Sequence, residues 1–117
     1  MGSVCLDTDV LIEHLKGRGE VYKKLEIFDD FYISILTVYE FMRGSDQEKT
    51  RYLNHLSLNY KTVILASKIY KSLYKEGTII PDNDILIGAT CIINNVPLLT
   101  LNKKHFVRLK KFGLKLV

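Results

Sequence analysis

Short apolar runs alternate with longer amphipathic stretches along this chain, and that alternation predicts an α/β order. Val4-Cys5-Leu6 reads as a short strand ending at Asp7-Thr8-Asp9. A helix follows to about Lys16, with Asp9 as its N-cap and Val10, Leu11, Ile12 and Leu15 on its apolar face. Gly17 and Gly19 break it, and a second helix from Glu20 sets Val21, Leu25 and Phe28 at helical spacing. Asp29-Asp30 turns into Phe31 to Ile35, whose aromatic and β-branched residues predict a strand.

Thr37-Val38-Tyr39-Glu40 has capping-box spacing and opens a helix that ends near Gly44. Asp46 starts another, with Tyr52, Leu53, Leu56 and Tyr60 on one side. Thr62-Val63-Ile64-Leu65 predicts a third strand, and Ala66 to Lys75 an amphipathic helix closed by Gly77. Asp82-Asn83-Asp84 leads into Ile85 to Ile93, a helix apolar all round that must be buried against the sheet, where Gly88 and Ala89 permit close packing. A strand at Pro97 to Leu99, a polar turn or helix at Asn102 to Phe106, and an edge strand at Gly113 to Val117 complete the pattern. The expected fold is a three-layer α/β/α sandwich with a mostly parallel central sheet. At 117 residues, 47% of them hydrophobic and only two of them proline, the chain is expected to form one domain over residues 1–117.

The candidate chemistry lies where those strands end. Asp7, Glu40 and the Asp82/Asp84 pair each sit after an apolar run and at or near a helix start, and Thr100-Leu101-Asn102 repeats the arrangement. Ends of parallel strands converge on one rim of an open sheet, where such proteins place their sites. Carboxylates gathered there repel one another unless a divalent cation sits between them, which points to metal-dependent phosphodiester hydrolysis. Each acid also has a plainer reading: Asp7 as a turn residue, Glu40 as the end of a capping box, Asp82 and Asp84 as helix-start acids.

Charge refines this by position. Residues 102–117 hold six basic side chains (Lys103, Lys104, Arg108, Lys110, Lys111 and Lys115) and no acid, which leaves the rest of the chain at −2 within a net charge of +4. A basic end beside acidic strand ends suits a polyanion, although an ordinary solvated surface has the same composition. Cys5 and Cys91 lie inside apolar runs, as buried thiols of a reducing cytoplasm do, and no Cys/His spacing suggests zinc. No secretory leader is expected, and no apolar run spans a bilayer. P-loop, dinucleotide and HExxH patterns are absent; His14 and His55 have no catalytic pairing, and only His105 lies near the expected rim.

Four blocks together resemble the PIN-domain nucleases, specifically the VapC-type toxins of toxin–antitoxin pairs. They are Leu6-Asp7-Thr8-Asp9-Val10-Leu11-Ile12, Ser34-Ile35-Leu36-Thr37-Val38-Tyr39-Glu40, Asp84-Ile85-Leu86-Ile87-Gly88-Ala89-Thr90 and Leu99-Thr100-Leu101-Asn102-Lys103-Lys104-His105-Phe106. The resemblance implies a Mg²⁺- or Mn²⁺-dependent endoribonuclease that hydrolyses RNA with metal-activated water. It assigns the metal-holding acids to Asp7, Glu40 and Asp84, and a supporting hydroxyl to Thr8. Asn102 stands where the family has a polar or acidic residue, and His105 where many members have an aspartate. A fourth carboxylate is thus missing from that block; either Asp82 or Asp9 compensates, or a second metal is held weakly, mainly by substrate phosphate. Lys103, Lys104 and Arg108 are the candidates for RNA-backbone contacts. The resemblance further implies a homodimer in the cytoplasm, away from any membrane. A VapB-like antitoxin would cover the active-site groove and itself carry the DNA binding, with Tyr22, Tyr39, Tyr52 and Tyr60 as possible contacts. A phosphatase, a DNA-directed nuclease, a phospho-acceptor domain and a non-catalytic PIN-like module are the competing functions.

Overall fold

A computed structural model describes residues 2–117, the side chain of Gln47 excepted. Its centre is a sheet of four parallel strands, β1 (Ser3–Leu6), β2 (Asp30–Ser34), β3 (Asn54–Leu56) and β4 (Leu98–Leu99), in the order β3-β2-β1-β4. The expected α/β/α layering is present. Helices α1 (Thr8–Leu15) and α2 (Gly19–Leu25) pack on one side of the sheet; α4 (Tyr60–Glu76) and α5 (Asp82–Ile93) pack on the other. Helix α3 (Ile35–Met42) follows β2 directly and touches both α1 and α5. The short α6 (Lys103–Phe106) and a 3₁₀ turn over Val107–Phe112 close the chain.

β1 lies between β2 and β4, and Val4, Cys5 and Leu6 are fully buried. Successive strand residues point to opposite faces. Cys5 therefore joins the α4/α5 core while Val4 and Leu6 join the α1/α2 core. Cys5 and Cys91 are both free and enclosed. The Cys91 thiol is held well above the ordinary thiol range, first by its hydrogen bond with Cys5 and then by burial.

Two expectations fail between residues 46 and 65. Where a helix from Asp46 was expected there is one 3₁₀ turn, Gln47–Lys49, and then β3, which pairs with β2 in parallel. Asn-His-Leu has no β-branched signature; the strand exists because the open edge of β2 accepts it, and Asn54 Nδ2 adds a bond to Phe31 O at 3.3 Å. The expected strand at 62–65 lies inside α4. Asn59 caps that helix, its Oδ1 accepting from Thr62 N at 3.1 Å, and Gly77 ends it at φ 69°. Burial of Thr62, Ala66, Ile69 and Leu73 supplies a helical stripe that outweighs the β-branched propensity of Val63 and Ile64. At the C-terminus the expected edge strand is reduced to an isolated parallel bridge between Leu98 and Leu116.

Gly88 accounts for how closely α5 approaches the C-terminal segment. A Cβ there would stand 2.3 Å from Leu109 Cδ2 and 3.7 Å from Phe106 Cδ1. Both neighbours are fully buried. Gly88→Ala gains helix propensity of up to about 1 kcal/mol but overpacks the contact by about 1–3 kcal/mol. The variant is expected to melt below wild type in a thermal scan; an equal or higher melting temperature would show that Leu109 can yield.

Candidate active site

Asp7 follows the central strand, Thr100 follows β4, and Ser34 ends β2, so the C-terminal ends of parallel strands form one rim. A bond from Asp7 N to Leu99 O at 3.0 Å fixes the rim's two central loops side by side. Asp7, not Asp9, is the N-cap residue of α1, and its Oδ1 accepts from Thr8 N at 2.9 Å. Its Oδ2 accepts from the Thr100 hydroxyl at 2.7 Å. The sequence signal Thr100-Leu101-Asn102 marked this loop without revealing that the threonine would grip the first acid.

Glu40 is released from the capping role that its spacing suggested. The capping residue of α3 is Ser34, whose Oγ accepts from Thr37 N at 3.1 Å, so the helix begins two residues before Thr37. Glu40 consequently lies within α3 rather than at its start. Its Oε1 accepts from the Thr8 hydroxyl at 2.6 Å, and its Oε2 from Asn83 Nδ2 at 3.0 Å. Thr8 thus joins α1 to α3, and Asn83, which sequence reasoning passed over, joins α5 to α3.

Asp84 sits in the first turn of α5, whose N-cap is Pro81, and neither Asp82 nor Asp84 caps that helix through its side chain. Asp84 Oδ2 lies 2.7 Å from His105 Nδ1. A carboxylate only accepts, so Nδ1 carries the proton in this pair. Asn102 Nδ2 is placed 2.7 Å from the same nitrogen, and the amide is better turned with its oxygen towards the ring. Asn102 N also donates to Thr100 Oγ1 at 2.9 Å. A hydrogen-bonded path therefore runs from Asp84 through His105, Asn102 and Thr100 to Asp7.

Burial pushes the Asp7 carboxyl up from its ordinary 3.8 to about 6; the Thr100 bond opposes this, while the charges of Asp9 and Asp84 reinforce it. Asp9 is likewise raised, chiefly by burial, and it accepts from the backbone of Val10 and Leu101. Asp9 thus joins the cluster as a fourth acid, whereas Asp82 is exposed and lines a groove against α4. His14 and His55 lie apart from the cluster: His14 packs between Tyr22 and Phe31, and His55 Nε2 meets Thr50 O. Lys103 and Lys104 are exposed at the start of α6, and Arg108 donates to Thr78 O at 2.9 Å.

Among the described residues, no three His, Cys, Asp or Glu side chains form a ready-made metal cage. Mg²⁺ needs none, because it takes one or two carboxylates and keeps several waters. The donors here are hard oxygens, and Asp7 and Asp9 are raised acids whose repulsion a cation would relieve. The chemistry of these donors fits such an ion.

A PIN domain model matches residues 4–111. Ribonuclease VapC1 of Methanocaldococcus jannaschii is 42% identical over 121 residues, covering 97% of this chain and 85% of the relative. A Ribonuclease VapC of Rickettsia bellii is 29% identical, with 89% and 88% covered. Among solved structures, DNA-bound VapBC from Salmonella typhimurium superposes with a TM-score of 0.81 at 21% identity, covering 100% of this chain and 98% of that one. VapBC2 from Rickettsia felis, bound to a promoter DNA fragment, gives 0.80 at 23% identity, with 98% and 97% covered. These structures establish the likeness of fold. The chain belongs to the PIN-domain family. Within that family it is of the VapC type, in accord with the four blocks that carry the resemblance.

Asp7 connects this chemistry to stability. The raised carboxyl favours the fold while protonated, so its contribution is complete below about pH 4 and is lost as pH rises through about 6. The loss is about 3 kcal/mol at most, at about 1.4 kcal/mol per pH unit. Asp7→Asn, measured in EDTA, is expected to raise the melting temperature at pH 7.5 and to leave it nearly unchanged at pH 4. An equal effect at both pH values would show that ionisation of Asp7 is not the cause.

Proposed function

We propose that this protein is the endoribonuclease toxin of a toxin–antitoxin pair, cutting RNA phosphodiester bonds with the help of Mg²⁺ or Mn²⁺ held by Asp7, Glu40 and Asp84. The observation that carries this reading is the hydrogen-bond network that ties Glu40 through Thr8, and Asp84 through His105, Asn102 and Thr100, to the strand end that holds Asp7 in a VapC-type PIN fold. The similarity to a relative named as a ribonuclease at 42% identity supports RNA as the substrate.

The chain's own residues divide the work. Asp7 is held by Thr8 N and the Thr100 hydroxyl, so its oxygens are oriented before substrate arrives. Thr8 and Asn83 orient Glu40 in the same way, and His105 orients Asp84. The backbone, hydroxyl and amide donors among these carry no charge, so they fix Asp7 and Glu40 without cancelling their charge. A bound divalent cation would supply Lewis-acid stabilisation of the phosphate and a more acidic water. Without one, the acid cluster repels a polyanionic substrate, so the carboxylates govern binding as well as chemistry.

A groove of ≈ 340 Å³ beside the site is lined by Ile12, Leu15, Lys16, Glu40, Phe41 and Lys49. Its apolar wall and its opening at Glu40 suit a VapB-like antitoxin segment that covers the acids, with DNA binding left to the antitoxin. The VapBC neighbours, solved bound to DNA, support an antitoxin partner, and the homodimer is carried over from the family resemblance. Tyr22, Tyr39, Tyr52 and Tyr60 are all exposed and available for such contacts.

Purified, antitoxin-free protein is expected to cut a mixed tRNA, rRNA and mRNA pool into discrete products in Mg²⁺ or Mn²⁺, and none in EDTA. Asp7→Asn and Asp84→Asn should each lower cleavage by about a hundredfold or more. Folded wild type that leaves every RNA intact would transfer the chain to the non-catalytic reading. Independently of activity, Mn²⁺ should raise the wild-type melting temperature at pH 7.5 and raise that of Asp7→Asn far less. Equal shifts in the two proteins would place the ion elsewhere.

A further inference from the structure

The outer side of α4 presents aromatic and basic side chains together. Tyr70 and Tyr74 are 40% and 65% exposed, with ring centroids 6.1 Å apart and planes tilted by 31°. Lys71 and Lys75 stand beside them, and Lys61 and Lys68 lie further along the same helix; all four are exposed. Among the described residues none of the four forms an ion pair, and the helix's single acid, Glu76, is taken by Lys111. A groove of ≈ 450 Å³ between α4 and the first turn of α5 includes Tyr70, Lys71, Asp82 and Ile85. Another of ≈ 430 Å³ is lined by Tyr70, Lys71, Tyr74 and Lys75. The two share Tyr70 and Lys71, so they adjoin and make up a track along α4. At the α5 side it meets Asp82, Ile85 and Leu86 in the first turns of that helix.

We propose that this track binds single-stranded RNA along α4, with bases stacked on Tyr70 and Tyr74 and phosphates against Lys71 and Lys75. The proposal rests on the ribonuclease reading and names the surface which that reading lacks. Stacking accepts any base, and lysine contacts hold the backbone without reading sequence, so the surface suits a strand rather than a particular base. The 17 residues of α4 extend about 25 Å, enough for a strand of several nucleotides. Charge favours RNA over a protein partner: a protein interface would have to desolvate lysines that meet no acid on this helix, and lysine is depleted from such interfaces.

The test is fluorescence anisotropy of a labelled oligouridine with the cleavage-deficient Asp7→Asn protein in Mg²⁺ over a series of salt concentrations. Replacing Lys71 and Lys75 with Ala together should flatten the plot of log affinity against log salt by about 1.4, at about 0.7 per phosphate contact. Tyr74→Ala should weaken binding about tenfold, while Tyr74→Phe should retain it. Replacing Lys23 and Lys24 on α2, in the opposite layer, removes the same charge and should leave binding unchanged. Equal losses from the α2 and α4 pairs would overturn the proposal, since any basic surface would then serve. If wild type cuts RNA while the α4 variants bind like their parent, the track is refuted and the nuclease reading stands. If wild type cuts nothing and the parent binds nothing, both fall. Conversion of a dimer to a monomer by Tyr70→Ala or Tyr74→Ala would make this face a contact between copies and overturn the proposal as well.

Discussion

Burial of the Asp7 carboxyl at the end of the fully enclosed central strand is the constraint around which the other features are arranged. A charge there has little water to stabilise it, and the nearest charged groups, Asp9 and Asp84, are of its own sign. The fold answers with short-range neutral donors, Thr8 N and the Thr100 hydroxyl, rather than with a lysine or arginine. A basic partner would hold the carboxyl as a permanent ion pair and blunt its attraction for a cation. Neutral donors orient the oxygens and leave the charge uncompensated.

The same arrangement extends to the other acids. Glu40 lies between Thr8 and Asn83, residues from helices on opposite faces of the sheet. Asp84 is tied through His105, Asn102 and Thr100 to the loop that grips Asp7. The acids are therefore mechanically connected, and a shift in the loop after β4 would reach both Asp7 and Asp84. His105 occupies the block where the resemblance leads one to expect a carboxylate, and here it serves as a hydrogen-bond donor. Asp9, in the first turn of α1, is a further raised acid beside Asp7.

The errors in reading the sequence share a physical origin. Val63 and Ile64 have strand propensity, but a cap at Asn59 and a buried stripe every three to four residues make a helix of that segment. Asn54–Leu56 has no intrinsic preference for a strand and is recruited by the unpaired edge of β2. The capping box at Thr37 was a correct local pattern placed one helical turn late, because Ser34 already supplied the oxygen. In each case a tertiary partner or a competing local bond overrode a propensity worth less than about 1 kcal/mol per residue.

Strand and helix alternation, the enclosed β1 and α5, and the positions of Asp7, Glu40 and Asp84 after apolar runs were legible in the chain. They follow from hydrophobic periodicity and from local rules about helix starts, which act over a few residues. The partners were not legible. That Thr100 donates to Asp7 across 93 positions, that Asn83 reaches Glu40 across 43, and that Asp9 rather than Asp82 enters the cluster depend on how strand ends and helix starts meet in space. Sequence spacing carries no such distance information; only the parallel register of β1 with β4, and the packing of α3 between α1 and α5, bring these side chains within reach.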